Sequence, residues 1–372
     1  MRRAAKNHGT NRGTHRARES DHRTRGRRPA RVRRALTALV LTAAVVAGTA
    51  GWAAGSGQVP VTGPPPGSAA WVADTSLGRA LPDPASATPG QVAAFFRSLT
   101  PGQRRDLAER HPSVVGNLDG APLTLRYAAN ATALRGDARF AHLAGPGRRI
   151  LAFDPRGRGQ VAEVFGDLER SRRVAVVVPG SDIDAGSYDR ARDPLGTPAG
   201  MARALRAAAP GTAVVAWAGY TTPLGVGLDA ATGDLAEAGA ERLARLTGGL
   251  AAQGVAAPAV FCHSYGSVVC GLAAPRLHAR DLVVLGSPGM RAGTVASLRT
   301  GARVWAAKDP SDWISDVPHV RFLGLGHGTD PASPEFGARP VPASDARGHT
   351  GYFAPGTESL RTFAAIARGD VR

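Results

Sequence analysis

Cysteine, lysine and aromatic residues are scarce in this sequence of 372 residues. It has two cysteines, two lysines (Lys6 and Lys308) and an aromatic content of 5%. Two cysteines without histidines at matching spacing do not fit the usual zinc patterns, and no H-E-x-x-H sequence is present. The phosphate-binding pattern G-x-x-x-x-G-K is also missing. We therefore expect no metal and no cofactor.

The net charge of +17 is spread unevenly, which argues against a nucleic-acid partner. Residues 1–34 hold 13 of the 46 basic residues and 2 of the 29 acidic ones, so the rest of the chain carries a net charge of only +6. RNA binding would also need aromatic side chains interleaved with the arginines. The basic head, residues 1–34, is expected on the cytoplasmic side of a membrane.

Residues 35–54 form a run of 20 residues without a charge. Such a run is long enough to span a bilayer, and small residues near its end equally fit a cleavable signal peptide. Two locations stay open: the cell membrane with the catalytic domain outside, or secretion after cleavage. Residues 55–87, rich in glycine and proline, are expected to be a linker.

Two regions follow the linker. Residues 88–145 are predicted to be helical and are a possible cap, because Thr88-Pro89 and Thr100-Pro101 are typical helix starts. In residues 146–372, apolar runs of strand length alternate with helical patterns. This alternation is typical of an α/β domain with a mostly parallel sheet flanked by helices. The number of subunits stays open.

The sequence Cys262-His263-Ser264-Tyr265-Gly266 lies between an apolar run and a helical pattern. A strand, a tight turn on serine and a helix are typical of the nucleophile elbow of the α/β-hydrolases. Cys262 stands where that pattern usually has its first glycine. We predict that Ser264 is a catalytic nucleophile.

A serine hydroxyl needs a base and a carboxylate that orients the base. Asp309 directly follows a predicted strand and is the expected acid, with Asp312 and Asp316 as alternatives. His349, in a glycine-flanked loop before the last helix, is the expected base, and His327 is the alternative.

Two backbone amides must also bind the oxyanion of the tetrahedral intermediate. We expect them to be the amide of Tyr265, directly after the nucleophile, and that of Ser181, in the turn after a central strand. Cys262 and Cys270 flank the elbow. They are read as two small buried residues, with a disulfide as the alternative in an oxidising compartment.

The chain resembles a family of actinobacterial α/β-hydrolases of unassigned activity that carry a helical N-terminal region. The shared sequences are His-Pro-Ser-Val-Val-Gly-Asn-Leu-Asp-Gly at 111–120, the strand at 174–180, His-Ser-Tyr-Gly-Ser at 263–267 and Gly-His-Thr-Gly-Tyr-Phe at 348–353. The resemblance implies an α/β-hydrolase fold with Ser264 as nucleophile and His349 as base.

The residues thus favour an extracytoplasmic serine hydrolase, esterase- or lipase-like, whose substrate is an acyl or ester small molecule or a lipid. An envelope acyltransferase would use the same three residues. A catalytically silent binding protein on this fold is the third possibility.

Overall fold

The computed structural model describes residues 57–317, 319–321 and 324–371. Within them, the strands are β1 (Ile150–Asp154), β2 (Gln160–Phe165), β3 (Arg173–Val178), β4 (Thr212–Ala218), β5 (Ala259–His263), β6 (Asp281–Leu285), β7 (Gly289–Ala292), β8 (Arg303–Ala307), β9 (His327–Gly328) and β10 (Arg339–Val341). The α-helices are α1 (Ser68–Val72), α2 (Pro89–Arg97), α3 (Pro101–Arg110), α4 (Pro112–Asn117), α5 (Leu123–Arg135), α6 (Pro198–Ala208), α7 (Leu228–Ala231), α8 (Asp234–Ala252), α9 (Gly266–Ala273) and α10 (Glu358–Arg368).

Eight of these strands form one sheet in the order β1-β2-β4-β3-β5-β6-β8-β10. β2 pairs antiparallel with both of its neighbours, and the pairs from β4 to β10 are all parallel. The carboxyl ends of the parallel strands therefore meet at one edge, here called the catalytic edge. β7 and β9 pair with each other in a separate two-stranded sheet. The predicted α/β class is confirmed, and the sheet opens with the antiparallel pair of β1 and β2.

Both faces of the main sheet are covered by helices. Successive side chains of a strand point to opposite faces, and in β3 Val177 packs in the cluster that α6 and α10 cover. Its neighbour Val176 packs in the cluster that α8 and α9 cover. A strand buried on both faces needs a continuous apolar sequence, which residues 174–178 provide.

The helices α2 and α3 begin where the sequence predicts. Thr88 and Thr100 each accept a hydrogen bond from the amide of the third helical residue, and the side-chain oxygens of Gln91 and Gln103 accept one from the cap amide. The main contacts of α2 to α5 beyond their own cluster are with α8 and β1, at the side of the sheet. This position does not fit the cap that the sequence left possible.

The Gly-Asn-Leu-Asp-Gly sequence joins these helices to the sheet. Nδ2 of Asn117 donates to the Phe153 carbonyl of β1 at 2.6 Å, and Oδ1 accepts from the Phe153 amide at 3.1 Å. Asp119 pairs with Arg126 at 3.0 Å. Gly120 has φ +96°, and a methyl group there would lie 2.1 Å from the Pro89 carbonyl oxygen. Asn117, Asp119 and Gly120 thus each have a structural role.

The prediction of a linker over residues 55–87 is wrong for the described part, which packs against the domain. Trp71 in α1 is fully buried, and its Nε1 donates to the Pro82 carbonyl. The amide of Gln58 donates to Asp229, and that of Val61 to Thr221. The buried indole of Trp71 thus anchors the proline-rich segment in an apolar cluster.

The predicted basic head and the apolar run at 35–54 lie outside the described residues. Among the residues that the structure does describe, every helix is too short or too polar to cross a membrane.

Candidate active site

Ser264 lies in a strained turn at the catalytic edge, between β5 and α9. Its φ is +54°, in the left-handed region that side chains other than glycine rarely adopt. Its amide donates to the Leu285 carbonyl of β6 at 3.0 Å. A methyl group on Gly180 would lie 2.5 Å from Cβ of Ser264, and one on Gly266 would lie 2.6 Å from the Pro179 carbonyl oxygen. The local geometry is that of a nucleophile elbow.

The turn after β3 lies directly against this serine. The same methyl position on Gly180 is 2.9 Å from Oγ of Ser264 and 3.2 Å from the Tyr265 amide nitrogen. The next residues are held by Asp182, whose amide donates to the Pro223 carbonyl and whose Oδ1 accepts from the Gly225 amide. The two amides expected to bind an oxyanion, those of Tyr265 and Ser181, have no acceptor among the described residues.

His349 is paired with Asp312 at the same edge. Nδ1 of His349 lies 2.8 Å from Oδ1 and 3.0 Å from Oδ2 of Asp312. An ionised carboxylate only accepts hydrogen bonds, so Nδ1 carries the hydrogen and Nε2 of the neutral imidazole is left as the proton acceptor. A methyl group on Gly286, at the end of β6, would lie 2.9 Å from Asp312 and 3.1 Å from the His349 ring.

Asp312 is held ionised by its surroundings. Burial alone would raise its pKa, but hydrogen bonds from His349, the Ile314 amide and the Tyr352 hydroxyl outweigh burial and lower the pKa of Asp312. The Tyr352 hydroxyl donates to Oδ2 at 2.7 Å. Neither the Ser264 hydroxyl nor Nε2 of His349 has a hydrogen-bond partner among the described residues.

The expected acid, Asp309, is not the partner of His349 in the structure, which favours the alternative, Asp312. The carboxylate of Asp309 accepts from the hydroxyl of Ser311 at 2.6 Å and from the amide of Gly348 at 2.5 Å. The Asp-Pro turn directs this side chain back onto its own loop, and Asp312, three residues later, reaches the imidazole. Asp309 therefore holds the residue before His349 in place.

His327, the alternative base, is engaged elsewhere. Its Nε2 lies 2.6 Å from the Ala230 carbonyl, which only accepts, so Nε2 donates. Burial lowers the pKa of His327 to about 4. The residue pairs with Gly289 in the two-stranded sheet. This arrangement favours His349 as the base.

His263 has a positioning contact that the sequence reasoning missed. Its Nε2 donates to the His349 carbonyl at 2.7 Å, and the two rings are 4.6 Å apart. Burial lowers the pKa of His263 to about 3, with the neighbouring His349 acting in the same direction. The neutral ring is a fixed donor beneath the His349 loop. The sequence signal for this role is that His263 directly precedes Ser264.

Cys262 and Cys270 form a disulfide between the end of β5 and α9. The preferred interpretation as two unlinked buried residues is therefore wrong, and the alternative is correct. The bond spans the elbow, so the strand before Ser264 and the helix after it are covalently joined.

Exposed apolar side chains cluster in two loops at the catalytic edge, after β4 and after β8. Hydrogen bonds from Gly326 and His327 to the carbonyls of Ala231 and Ala230 connect the loops. Trp313 is 45% exposed, and its ring is 4.7 Å from that of His349. We call the following residues the apolar rim: Leu224, Val226, Leu228, Trp313, Val320 and Leu325.

The sheet order, the elbow and the paired histidine define an α/β-hydrolase fold. A family model described as α/β hydrolase matches residues 154–322. Two proteins of Mycobacterium tuberculosis, from strains CDC 1551 / Oshkosh and H37Rv and both named as uncharacterized, are 29% identical over 78% of this chain. The chain spans 57% of their length. The resemblance to actinobacterial α/β-hydrolases of unassigned activity is confirmed.

Solved structures resemble the chain more distantly. The esterase domain of a Rhodothermus marinus protein is 14% identical, with a TM-score of 0.34, and covers 57% of this chain and 92% of its own. A Xanthomonas campestris α/β serine hydrolase without a lid is 17% identical, with a TM-score of 0.36, and covers 61% and 95%. Similarity at this level carries no argument about the activity of this chain.

Proposed function

We propose that the chain is a serine hydrolase that cleaves esters with an apolar acyl part, through an acyl-enzyme on Ser264. The observation that carries the proposal is the pairing of His349 with ionised Asp312 at the sheet edge where Ser264 sits in a strained turn. A nucleophile, a base and a carboxylate that orients the base are the parts of acyl transfer. The exposed Trp313 of the apolar rim, whose ring lies 4.7 Å from that of His349, supports an apolar acyl group.

The residues have separate roles in this reaction. Nε2 of His349 takes the proton of the Ser264 hydroxyl as Oγ attacks the ester carbonyl. The amides of Tyr265 and Ser181 donate to the resulting oxyanion. The protonated imidazole then gives its proton to the leaving alcohol oxygen, which leaves the acyl-enzyme.

Hydrolysis of the acyl-enzyme repeats the same steps with water. His349 takes a proton from a water molecule, whose oxygen attacks the acyl carbonyl, and then returns the proton to Oγ of Ser264. Asp312 stays ionised throughout and stabilises the imidazolium.

We further propose that the domain works outside the cytoplasm. The disulfide of Cys262 and Cys270 supports this, because such bonds persist mainly in oxidising compartments. The uncharged run at 35–54 after a basic head supports it as well.

The test is labelling of the full chain with a fluorophosphonate, followed by mass spectrometry. We expect phosphonylation of Ser264 with loss of fluoride, absent in Ser264→Ala and at least 100-fold slower in His349→Ala. His142→Ala is the matched control, because His142 is a partly exposed histidine paired with Asp189 rather than with Asp312. A folded wild type that takes no label on Ser264 would overturn the proposal.

Hydrolysis of p-nitrophenyl esters of increasing acyl length then tests the substrate class. We expect a lower KM for medium and long chains than for acetate. A rate of p-nitrophenol release that rises with added alcohol, together with a new ester product, would indicate acyl transfer to the alcohol instead of hydrolysis.

A further inference from the structure

A small cavity lies between the N-terminal segment, the Gly-Asn-Leu-Asp-Gly turn, the end of β1 and helix α8. Its volume is about 100 Å³. Pro64 and Pro65 form part of its wall, and Trp217 of β4 forms another part. Its charged lining residues are Asp119, Arg126, Asp154, Arg156, Arg242 and Arg245.

The two carboxylates do not balance the four guanidinium groups. Asp119 pairs with Arg126 at 3.0 Å, and Asp154 pairs with Arg156 at 2.6 Å. The guanidinium group of Arg242 also lies near the carboxylate of Asp154, but at a longer distance of 3.7 Å. Arg245 donates to the Ala87 carbonyl at 3.1 Å and has no carboxylate partner among the described residues. The lining therefore carries a net charge of +2.

Arg242 differs from the other three arginines because no atom among the described residues accepts a hydrogen bond from it. Its side chain is 27% exposed and has only the distant Asp154 carboxylate as an ionic partner. Burial lowers the pKa of Arg242, the carboxylates of Asp154 and Asp119 oppose that effect, and the charges of Arg156 and Arg245 add to it. The N–H groups of Arg242 are therefore available to an acceptor that enters the cavity.

We infer that this cavity binds a phosphoryl group, with Arg242 and Arg245 as its principal ligands. A phosphate monoester carries a charge of about −1.5 to −2 at neutral pH, which matches the excess of +2, whereas a carboxylate carries half of it. Guanidinium groups bind phosphate oxygens in pairs of parallel hydrogen bonds. The group belongs either to free phosphate or to a larger phosphorylated molecule.

The site has a physical link to the catalytic edge. The Trp217 ring stacks on Tyr220, with centroids 5.8 Å apart. The Tyr220 hydroxyl donates to the Pro179 carbonyl at 2.8 Å, and Pro179 precedes Gly180, which lies against Ser264. Because the indole of Trp217 lines the cavity, its fluorescence can report on binding there, and the residue is not part of the catalytic machinery.

The experiment titrates the full chain with inorganic phosphate at constant ionic strength, by calorimetry and by tryptophan fluorescence. We expect saturable binding with a change in fluorescence, and weaker binding of acetate. Arg242→Gln and Arg245→Gln should each weaken phosphate binding at least tenfold. Trp217→Phe should lose most of the fluorescence change and keep the heat of binding. Glycerol phosphate replaces phosphate in a second arm, and tighter binding there would assign the site to a larger phosphorylated molecule.

Two controls make the outcome decisive. Arg361→Gln changes an exposed arginine on α10 and should leave binding unchanged, and Ser264→Ala should bind as the wild type does. Circular dichroism and melting establish that each variant is folded. Absence of saturable binding, or equal weakening in Arg361→Gln and Arg242→Gln, would overturn the inference. Because Ser264→Ala is expected to bind, failure of this inference is distinguishable from failure of the proposed hydrolase activity.

Discussion

Replacing Asp312 by asparagine tests whether Asp312, and not Asp309, is the acid that orients His349. The asparagine amide can donate to Nδ1, which would favour the imidazole tautomer with its hydrogen on Nε2 and remove the acceptor that Ser264 needs. In a serine protease triad the equivalent change lowers kcat by about 10⁴-fold, or about 5.4 kcal/mol in the activation free energy. We expect a loss of activity of that order for Asp312→Asn. The Tyr352 hydroxyl keeps a hydrogen-bond partner in this variant, because it also accepts from the Asp309 amide.

Asp309→Asn is the matched comparison, because the same change is made three residues away. Its carboxylate binds the Gly348 amide and the Ser311 hydroxyl, and hydrogen bonds to a charged group are worth about 1.5–3 kcal/mol each. The amide oxygen of asparagine can still accept one of them. We therefore expect the free energy of unfolding to fall by about 1–3 kcal/mol. We expect activity to fall by less than about tenfold, which corresponds to less than about 1.36 kcal/mol in the activation free energy.

The assay is the rate of p-nitrophenyl butyrate hydrolysis and of fluorophosphonate labelling, with unfolding in urea measured on the same samples. The reasoning fails if folded Asp309→Asn loses as much activity as Asp312→Asn, or if Asp312→Asn keeps more than a tenth of the wild-type rate.

Three further predictions concern other parts of the site. Replacing both Cys262 and Cys270 by alanine should lower the free energy of unfolding, measured by urea unfolding, by about 2–3 kcal/mol, as expected for a short closed loop. Dithiothreitol should have no further effect on that variant. An unchanged stability would contradict the prediction. Trp313→Ala should raise KM for octanoate esters several-fold and leave acetate esters within about twofold, because apolar burial contributes about 25 cal/mol per Å²; an equal change for both esters would show that the ring does not contact the acyl chain. The pKa values of His263 and His327, about 3 and about 4, lie below that of an unfolded histidine, so the unfolded chain binds more protons and stability should fall as the pH drops from about 6.5 toward 4. His327→Gln should flatten that slope in urea titrations at pH 7 and pH 4.5, and an unchanged slope would contradict the burial argument.

The sheet could be predicted from the sequence because its signals are local. Residues 174–178 are apolar without interruption, which is typical of a strand buried on both faces. Thr88 and Thr100 specify helix starts through contacts three residues away. The elbow was also predictable, since a strand, a serine turn and a helix follow each other directly.

The identity of the acid depends on contacts that no local pattern contains. Asp309 and Asp312 both follow β8, and which carboxylate reaches His349 is decided by the path of the Asp-Pro turn and by Tyr352, some 40 residues later in the chain. The disulfide could not be predicted from a local pattern either, because it depends on how α9 packs against β5.

The linker prediction failed for a different reason. Proline and glycine content was a fair sign of an irregular backbone, and most of residues 57–66 is irregular. Composition does not show whether such a backbone is packed, and the buried side chains of Trp71, Leu81 and Ala87 show that it is.

The contact of Asn117 with β1 also bears on how the outer border of the sheet is covered. β1 is the outermost strand on its side of the sheet, and an open outer strand offers unpaired amides and carbonyls to any extended chain. The amide side chain of Asn117 occupies both backbone groups of Phe153, and Asn130 occupies the carbonyl of Ile150. At the opposite border, β10 is three residues long and contains Pro340, which has no amide hydrogen to offer. Both borders of the sheet are thus poor templates for aggregation.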